Sequence, residues 1–229
     1  MALSASASPA GILSLDGETL AEAGSPTIVL SDDFEAGPGG WVPRASGSGQ
    51  GVLATTATEA HGGSQAALLT ARTSQGDGIG HDVTGLLVPG TTYELSAWVK
   101  YAPGQATDDV WLSMARTVGD STSYDTVAQF TGISDTTWTQ VTSRFQMGAA
   151  DSALLYFESA YQGGAAGNTS DLLLDDVTIA LPRRRGPGPH SPQGHHPFPW
   201  AWRSTAGRPR ARPPSSWCVI STRSRARTT

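Results

Sequence analysis

The acidic part of this chain contains no cysteine, and the single thiol among the 229 residues, Cys218, lies near the C-terminus. No disulfide framework can form, so cysteine usage does not report the redox compartment. No apolar run approaches the roughly 20 residues that a membrane-spanning helix needs, so we expect no membrane partner. No segment shows a sustained apolar period of 3.6 residues either, which argues against a helical architecture.

Motifs for nucleophilic catalysis and phosphate binding are also missing. The G-x-S-x-G motif carries the serine nucleophile in one large class of hydrolases. His61 and His81 have no such motif to act with in this sequence. No G-x-x-x-x-G-K-[ST] loop is present to cradle phosphates. The pair His195-His196 lies in a Pro/Gly-rich stretch without further metal ligands. We therefore expect that the chain is not an enzyme.

Charge is distributed very unevenly along the chain. All 20 acidic residues and only five basic ones precede Arg183, a net of −15, whereas 183–229 holds ten arginines and no acid. Such asymmetry indicates a domain followed by a tail. We predict a leader over 1–26, a folded domain over 27–182 and an Arg/Pro-rich disordered tail over 183–229.

The leader leaves two interpretations open. Met1 to Ala10 lacks the basic region and the long apolar core of a signal peptide, but its small residues resemble the A-x-A end of one. It is either the remnant of a signal whose start lies upstream, or a disordered leader of small residues. We expect a secreted, extracellular protein.

Short runs of β-branched and aromatic residues recur about every ten positions from Thr27 onward, separated by Gly, Pro, Asp and Ser clusters. This spacing is typical of an all-β sandwich or barrel. Nine strands are predicted: 27–31, 51–55, 66–70, 92–100, 110–117, 124–130, 138–146, 153–159 and 172–180. That number in about 155 residues favours a two-sheet jelly-roll β-sandwich.

Two of these strands are expected to present aromatic and polar side chains together on the face away from the core. Alternation places Tyr93, Leu95, Ala97 and Val99 inward, and Glu94, Ser96, Trp98 and Lys100 outward. Over 153–159, Leu155 and Phe157 fit the core, and Leu154, Tyr156 and Glu158 share the other face. Rings between polar groups suit sugar binding, because sugar C–H faces stack on rings and hydroxyls need fixed partners. Alternatively, these rings cover a second small core.

An ordered set of motifs resembles a known family. The motifs are Asp33-Phe-Glu-Ala-Gly, Gly40-Trp41, Ala60-His-Gly-Gly-Ser64, Arg72-Thr73, Val88-Pro-Gly-Thr-Thr-Tyr93, Ser96-Ala-Trp-Val-Lys100, Tyr124-Asp-Thr126, Trp138-Thr139, Leu155-Tyr-Phe-Glu158 and Asp175-Asp-Val177. Over about Asp32 to Leu181 the chain resembles a family 22 carbohydrate-binding module, within the group that includes families 4 and 9. The resemblance implies a jelly roll that binds xylan or mixed-linkage β-glucan and flanks a family 10 xylanase domain.

The resemblance also implies the residues of a sugar-binding cleft. Four positions match the family's cleft residues: Arg44, Tyr124, Tyr156 and Glu158. Two aromatic residues of the family are missing, since Gly76 stands for a tryptophan and Leu154 for a tyrosine. Each lost stacking platform is expected to cost about 1–3 kcal/mol, by analogy with base stacking on aromatics.

A structural calcium ion is implied by the same resemblance. The matching ligands are Glu35 and Asp176, helped by Asp33 and by backbone carbonyls around Gly62 to Ser64. Carboxylate and carbonyl oxygens are the ligands that calcium prefers. Strand alternation predicts that Asp175 points to the opposite face. The alternative is that these are ordinary surface acids in turns.

The basic tail also has two interpretations. It could bind nucleic acid or an anionic wall polymer. We favour a frameshifted translation of a catalytic domain, in which case it is disordered and without a selected function. Back-translation of Pro214 to Arg223 with GC-rich codons, read from the third base, gives a peptide like the opening of family 10 xylanase domains. The same shift of His196 to Thr205 gives a second such peptide in the right order.

The resulting hypothesis is a monomeric, non-catalytic carbohydrate-binding module from a modular endo-1,4-β-xylanase. Glycoside hydrolysis needs two carboxylates, and Glu158 has no evident partner in the sequence. No nucleic-acid partner is expected. The alternative is a β-sandwich that stabilises a neighbouring enzyme domain and has little or no sugar affinity.

Overall fold

The computed structural model describes residues 25–46, 49 and 51–183. The chain divides into one unit of Met1–Gly188 and another of Pro189–Thr229, and every described residue belongs to the first. The leader over 1–24 and the tail beyond 183 lie outside the described residues, so both pairs of interpretations stay predictions. Among the described residues, no helix is long and apolar enough to cross a membrane.

Eleven strands and one short 3₁₀ helix, Ala166–Thr169, form the described part of the chain. The strands are β1 Thr27–Asp32, β2 Trp41–Arg44, β3 Val52–Thr56, β4 Ala66–Thr70, β5 Gly78–Asp82, β6 Thr92–Tyr101, β7 Asp108–Val118, β8 Ser121–Ile133, β9 Thr139–Gln146, β10 Ser152–Ser159 and β11 Leu172–Leu181. All nine predicted strands are present, and no strand end differs from its prediction by more than three residues. Strands β2 and β5 were not predicted.

The strands pair antiparallel in two sheets. One sheet has the order β3-β4-β11-β6-β9. Strand β1 also belongs to this sheet and pairs with the second half of β11, whereas β4 pairs with its first half. The other sheet has the order β2-β5-β10-β7-β8. Each sheet turns one face toward a shared apolar core, to which Leu95 and Val99 contribute from β6 and Leu155 and Phe157 from β10. The predicted all-β sandwich is therefore confirmed, as is the predicted alternation of both strands.

The two unpredicted strands lack the usual composition of strands. Strand β2 contains Pro43 and lies at the edge of the five-stranded sheet, where a missing backbone N–H is tolerated. In β5, a Cβ atom at Gly78 would collide with the carbonyl oxygen of Phe157. Glycine is required there because β10 approaches so closely, a contact that the local sequence cannot reveal.

A buried guanidinium joins two loops and the end of strand β10 at one end of the sandwich. Arg72 is only 6% exposed. Its Nε donates to the carbonyl of Asp77 at 2.9 Å, and Nη2 donates to the carbonyl of Gln75 at 3.0 Å and to Ser159 Oγ at 2.9 Å. Nη1 donates to the carbonyl of Ser170. Burial lowers the pKa of Arg72, opposed by the nearby Tyr101 and Asp77.

We expect Arg72→Ala to lower the free energy of unfolding by about 3 kcal/mol, because it leaves several buried carbonyls without donors. Arg72→Lys should recover only part of this loss, since one ammonium cannot reach the carbonyls of both loops and the Ser159 hydroxyl. The matched control is Arg144→Ala on the exposed face of β9, where about 0.5 kcal/mol or less is expected. Urea denaturation measures all three, and similar losses for Arg72→Ala and Arg144→Ala would contradict the role of Arg72.

Candidate functional site

The outward face of the five-stranded sheet gathers the predicted cleft residues. Antiparallel pairing sets Tyr156 opposite Ser113 and Glu158 opposite Trp111 on β7. Directly opposed residues point to the same face of a sheet. On the other side of β10, strand β5 presents Gly80 opposite Tyr156. On this face, β5 therefore has no large side chain opposite Tyr156, and the larger side chains lie on β10, β7 and the edge strand β2.

Arg44 connects the four predicted residues. Its Nη1 lies 3.3 Å from Glu158 Oε2 and donates to the carbonyl of Gly76. Its Cζ lies 4.3 Å from the ring centroid of Tyr156 and 5.6 Å from that of Tyr124. Both distances are within the range of cation–π contacts. The structure thus brings Arg44, Tyr124, Tyr156 and Glu158 into one cluster.

The two tyrosines of the cluster differ in their access to solvent. Tyr124 is 67% exposed, whereas Tyr156 is 2% exposed, with the guanidinium of Arg44 over its ring. Burial, together with the adjacent carboxylate of Glu158, raises the pKa of Tyr156 to about 12. Of these two tyrosines, Tyr124 therefore has the ring that is open to solvent, and the ring of Tyr156 lies beneath the guanidinium of Arg44.

Glu158 is also largely withdrawn from water. Its side chain is 13% exposed, and that of Arg44 is 14% exposed. Burial raises the pKa of Glu158, and a hydrogen bond from Ser113 and the charge of Arg44 partly offset that rise. Such a carboxylate is a well-positioned acceptor, because Arg44 on β2 and Ser113 on β7 hold its orientation.

Gly76, which stands where the family has a tryptophan, is closely surrounded by side chains. A Cβ atom at Gly76 would lie 2.5 Å from Ser46 Oγ and 2.8 Å from Arg44 Nη1. The glycine therefore leaves the space in which Arg44 reaches its partners. Leu154 stands where the family has its second missing ring, a tyrosine. Its side chain packs over β5, and a Cβ atom added at Gly80 would lie 3.3 Å from the Leu154 side-chain carbons.

The loop that carries Gly76 is closed around a buried carboxylate. Asp77 accepts hydrogen bonds from the backbone N–H groups of Ser46 (2.9 Å), Thr73 (2.7 Å) and Ser74 (3.1 Å). Burial opposes ionisation of Asp77, but these hydrogen bonds outweigh it and lower its pKa. The loop conformation at this end of the cleft is thus specified by Asp77 from within and by Arg72 from the core side.

Trp98, which was expected on an aromatic outward face, lies on the other sheet. Its strand β6 belongs to the six-stranded sheet, and β10 belongs to the five-stranded one. The ring of His61 stacks on Trp98 with centroids 3.7 Å apart, and Trp138 meets His61 edge-on at 6.1 Å. Trp98 therefore cannot replace a missing ring of the cleft, because the core separates the two faces.

The predicted calcium ligands are brought together only in part. Glu35 and Asp176 flank the loop after His61: a Cβ atom at Gly62 would lie 2.6 Å from Asp176 Oδ2, and one at Gly63 would collide with Glu35. Glu35 accepts hydrogen bonds from the backbone N–H groups of Ser64 (2.7 Å) and Gln65 (2.8 Å). The Ser64 hydroxyl and these N–H groups lower the pKa of Glu35.

Asp33 plays a more local role than the calcium expectation gave it. Its Oδ1 accepts the backbone N–H of Glu35 at 3.2 Å, within its own turn. Among the described residues, no three His, Cys, Asp or Glu side chains converge as a metal-binding group. An ion at this loop would therefore depend on Glu35 and Asp176, with backbone carbonyls and water completing its shell.

The prediction that Asp175 points away from this loop is wrong. Asp175 is fully buried and accepts the backbone N–H groups of His61 (2.8 Å) and Gly62 (3.2 Å). Burial raises its pKa, and these hydrogen bonds counteract the rise. The alternation fails because the pairing of β11 with β6 shifts between Asp175 and Thr178, and Asp176 adopts a positive φ of 47°. Both carboxylates consequently face the same loop.

Comparisons with known proteins agree with this architecture. Residues 27–168 match the family model for a carbohydrate binding domain of the family 4 and 9 group. The CBM22-1 xylan-binding domain of Paenibacillus barcinonensis Xyn10C is 28% identical, with a TM-score of 0.62. The match covers 70% of this chain and 98% of that domain. The resemblance to family 22 modules is therefore confirmed.

Curated relatives are much longer than the matched segment. Endo-1,4-beta-xylanase A of Thermoanaerobacterium saccharolyticum is 28% identical over 155 residues, which are 66% of this chain and 12% of that protein. The enzyme of the same name from Thermotoga neapolitana is 28% identical over 162 residues, which are 69% of this chain and 14% of that protein. The match thus spans about an eighth of these relatives. Through its two-sheet domain, the chain belongs to the carbohydrate-binding domain family.

Proposed function

We propose that this domain binds xylan or mixed-linkage β-glucan on the outward face of the five-stranded sheet. The observation that carries the proposal is the cluster of an exposed Tyr124 with Arg44 and Glu158. Similarity to a xylan-binding domain over nearly all of its length supports it. The preferred class is a β-linked plant cell-wall glycan with hydroxyls along both edges of the chain.

The chemistry of the cluster suits such a ligand. The ring of Tyr124 can stack on the C–H face of a sugar. Glu158 can accept hydrogen bonds from hydroxyls, because its carboxylate has more acceptor sites than Arg44 and Ser113 occupy. Both bonds that Arg44 makes to the described residues use Nη1, which leaves Nε and Nη2 as donors for ring and hydroxyl oxygens.

We further propose that the parent protein is a secreted, modular endo-1,4-β-xylanase in which this monomeric domain is non-catalytic. The curated relatives support the xylanase context. In the cluster, the charged neighbour of Glu158 is Arg44, an arrangement that serves hydrogen bonding rather than the paired carboxylates of glycoside hydrolysis.

We propose, in addition, that calcium binds beside the Gly62-Gly63 loop. Glu35 and Asp176 would provide its carboxylate ligands, and the loop and water would provide the remaining oxygens. The glycines support this proposal, since a side chain at Gly62 would meet the carboxylate of Asp176 and one at Gly63 would meet that of Glu35. A bound ion would link the start of the domain after β1 to β11 and would stabilise the folded state.

Loss of the Tyr124 ring should weaken binding without weakening the fold. We expect Tyr124→Ala to lower the affinity for xylan about tenfold or more, since a stacked ring contributes about 1–3 kcal/mol. Tyr124→Phe keeps the ring and should stay within about threefold of the parent. Affinity electrophoresis on xylan and β-glucan gels measures both, with thermal unfolding as the check on folding. Equal retardation of Tyr124→Ala and the parent would rule out this ring as the platform.

Calcium should raise the melting temperature of the domain, and this increase should require the carboxylates of Glu35 and Asp176. A hundredfold excess over Kd stabilises a one-site protein by about 2.7 kcal/mol. We expect chelation to remove this gain, and Glu35→Ala and Asp176→Ala to lose it. Asp120→Ala, at the exposed turn between β7 and β8, should keep it. A calcium-independent melting temperature for the parent would contradict the proposed site.

A second candidate function is favoured by one specific observation. Arg44 covers Tyr156, and Gly76 and Leu154 replace two stacking rings of the family. A domain with so few open rings could act mainly as a stabilising neighbour of an enzyme domain. In that case the parent enzyme should melt several degrees lower when the domain is deleted, and the isolated domain should show no retardation on xylan. Retardation together with an unchanged melting temperature of the enzyme would reject this candidate.

A further inference from the structure

Trp111 is a second aromatic side chain on the cleft face. The pairing of β10 with β7 sets Trp111 directly opposite Glu158, two positions from the pair of Tyr156 and Ser113. On the other side, Trp111 pairs with Gln129 of β8. Opposed residues share a face, so the indole lies beside the carboxylate that the proposed function assigns to sugar binding.

An irregularity in β8 is responsible for this placement of Gln129. The pairing of β7 with β8 shifts between Leu112 and Ser113. As a result Val127 and Ala128, which are neighbours in sequence, both pack against the core. The alternation then resumes with Gln129 outward. An exposed amide therefore stands next to the indole, where it can bond a sugar hydroxyl.

The surroundings of Trp111 distinguish it from the core tryptophan. Trp41 is 3% exposed and contacts the rings of Phe34 and Phe157. Trp111 is partly exposed, and no ring contact to it occurs among the described residues. A partly exposed large ring on the outward face of a sheet is typical of a binding surface.

The two rings stand at opposite ends of a shallow strip. Tyr124 pairs with Ala115, and Trp111 lies four residues away along β7, which is about 13 Å at the rise of a strand. The outward residues between them on β7 and β8 are small: Ser113, Ala115 and Thr126. Arg44 and Glu158 border this strip on its other side.

We infer that Trp111 is a second stacking platform that extends the glycan-binding cleft past Glu158. This inference rests on the proposed function, and it adds a residue and a length requirement to that site. A chain of several sugar residues can reach both Tyr124 and Trp111, whereas a short oligosaccharide can reach only one. The affinity of this domain should consequently grow with chain length through contact with Trp111.

The test is isothermal titration of linear β-1,4-xylo-oligosaccharides of three to six residues. The parent should bind the hexamer at least tenfold more tightly than the trimer. Trp111→Ala should lose most of this gain, about tenfold on the hexamer, while its trimer affinity stays within about twofold. Trp111→Phe should keep more of the gain than Trp111→Ala. The control is Trp138→Ala, which removes a partly exposed tryptophan near His61 on the other sheet.

Three outcomes would overturn the inference, and they separate it from the proposed function. If Trp111→Ala binds the hexamer like the parent, the cleft exists but Trp111 is not part of it. If the trimer and the hexamer lose equal affinity, the indole belongs to the central site rather than to an extension. If the parent binds neither these oligosaccharides nor insoluble xylan or β-glucan, the proposed function fails and the inference fails with it. Thermal unfolding of each variant verifies that the fold is intact.

Discussion

The two-residue alternation of strand β10 is the constraint on which the rest of this domain depends. Leu155 and Phe157 lie in the core, so Tyr156 and Glu158 must point outward. Pairing with β5 on one side and β7 on the other prevents a slip in register, since a slip by one residue would exchange the two faces. The position of the cleft chemistry is thereby a consequence of core packing.

The turn over 73–77, at one end of the sandwich, positions Arg44 on the outward face of the five-stranded sheet. Arg72 and Asp77 hold the turn over 73–77 from opposite sides, through carbonyl and N–H groups respectively. That turn offers the carbonyl of Gly76 to Arg44, which then lies over Tyr156 and beside Glu158. Gly76 thus leaves the space that the side chain of Arg44 occupies at this end of the cluster.

The two outward faces of the sandwich carry different chemistry. The five-stranded sheet presents an arginine, a carboxylate and separated rings with little between them. On the six-stranded sheet, His61 stacks on Trp98, and a bulge in β11 directs Asp175 and Asp176 at the loop that follows His61. These groups satisfy one another and tie a loop to the sheet, which is consistent with a structural role for that face.

Composition and pattern by themselves determined the all-β class, nine of the eleven strands and the inward residues of β6 and β10, because alternation and turn residues are local signals. Residue motifs compared with a family also predicted the four residues that the structure brings into one cluster. Only the tertiary structure decided what depends on contacts between distant segments. It revealed that the glycine-containing strand β5 lies beside β10 and that Arg44 covers Tyr156. It also revealed the irregularity in β11 at Asp175 and the placement of Trp98 and Trp111 on different sheets. Strand pairing and close packing bring such groups together, and no local pattern encodes them.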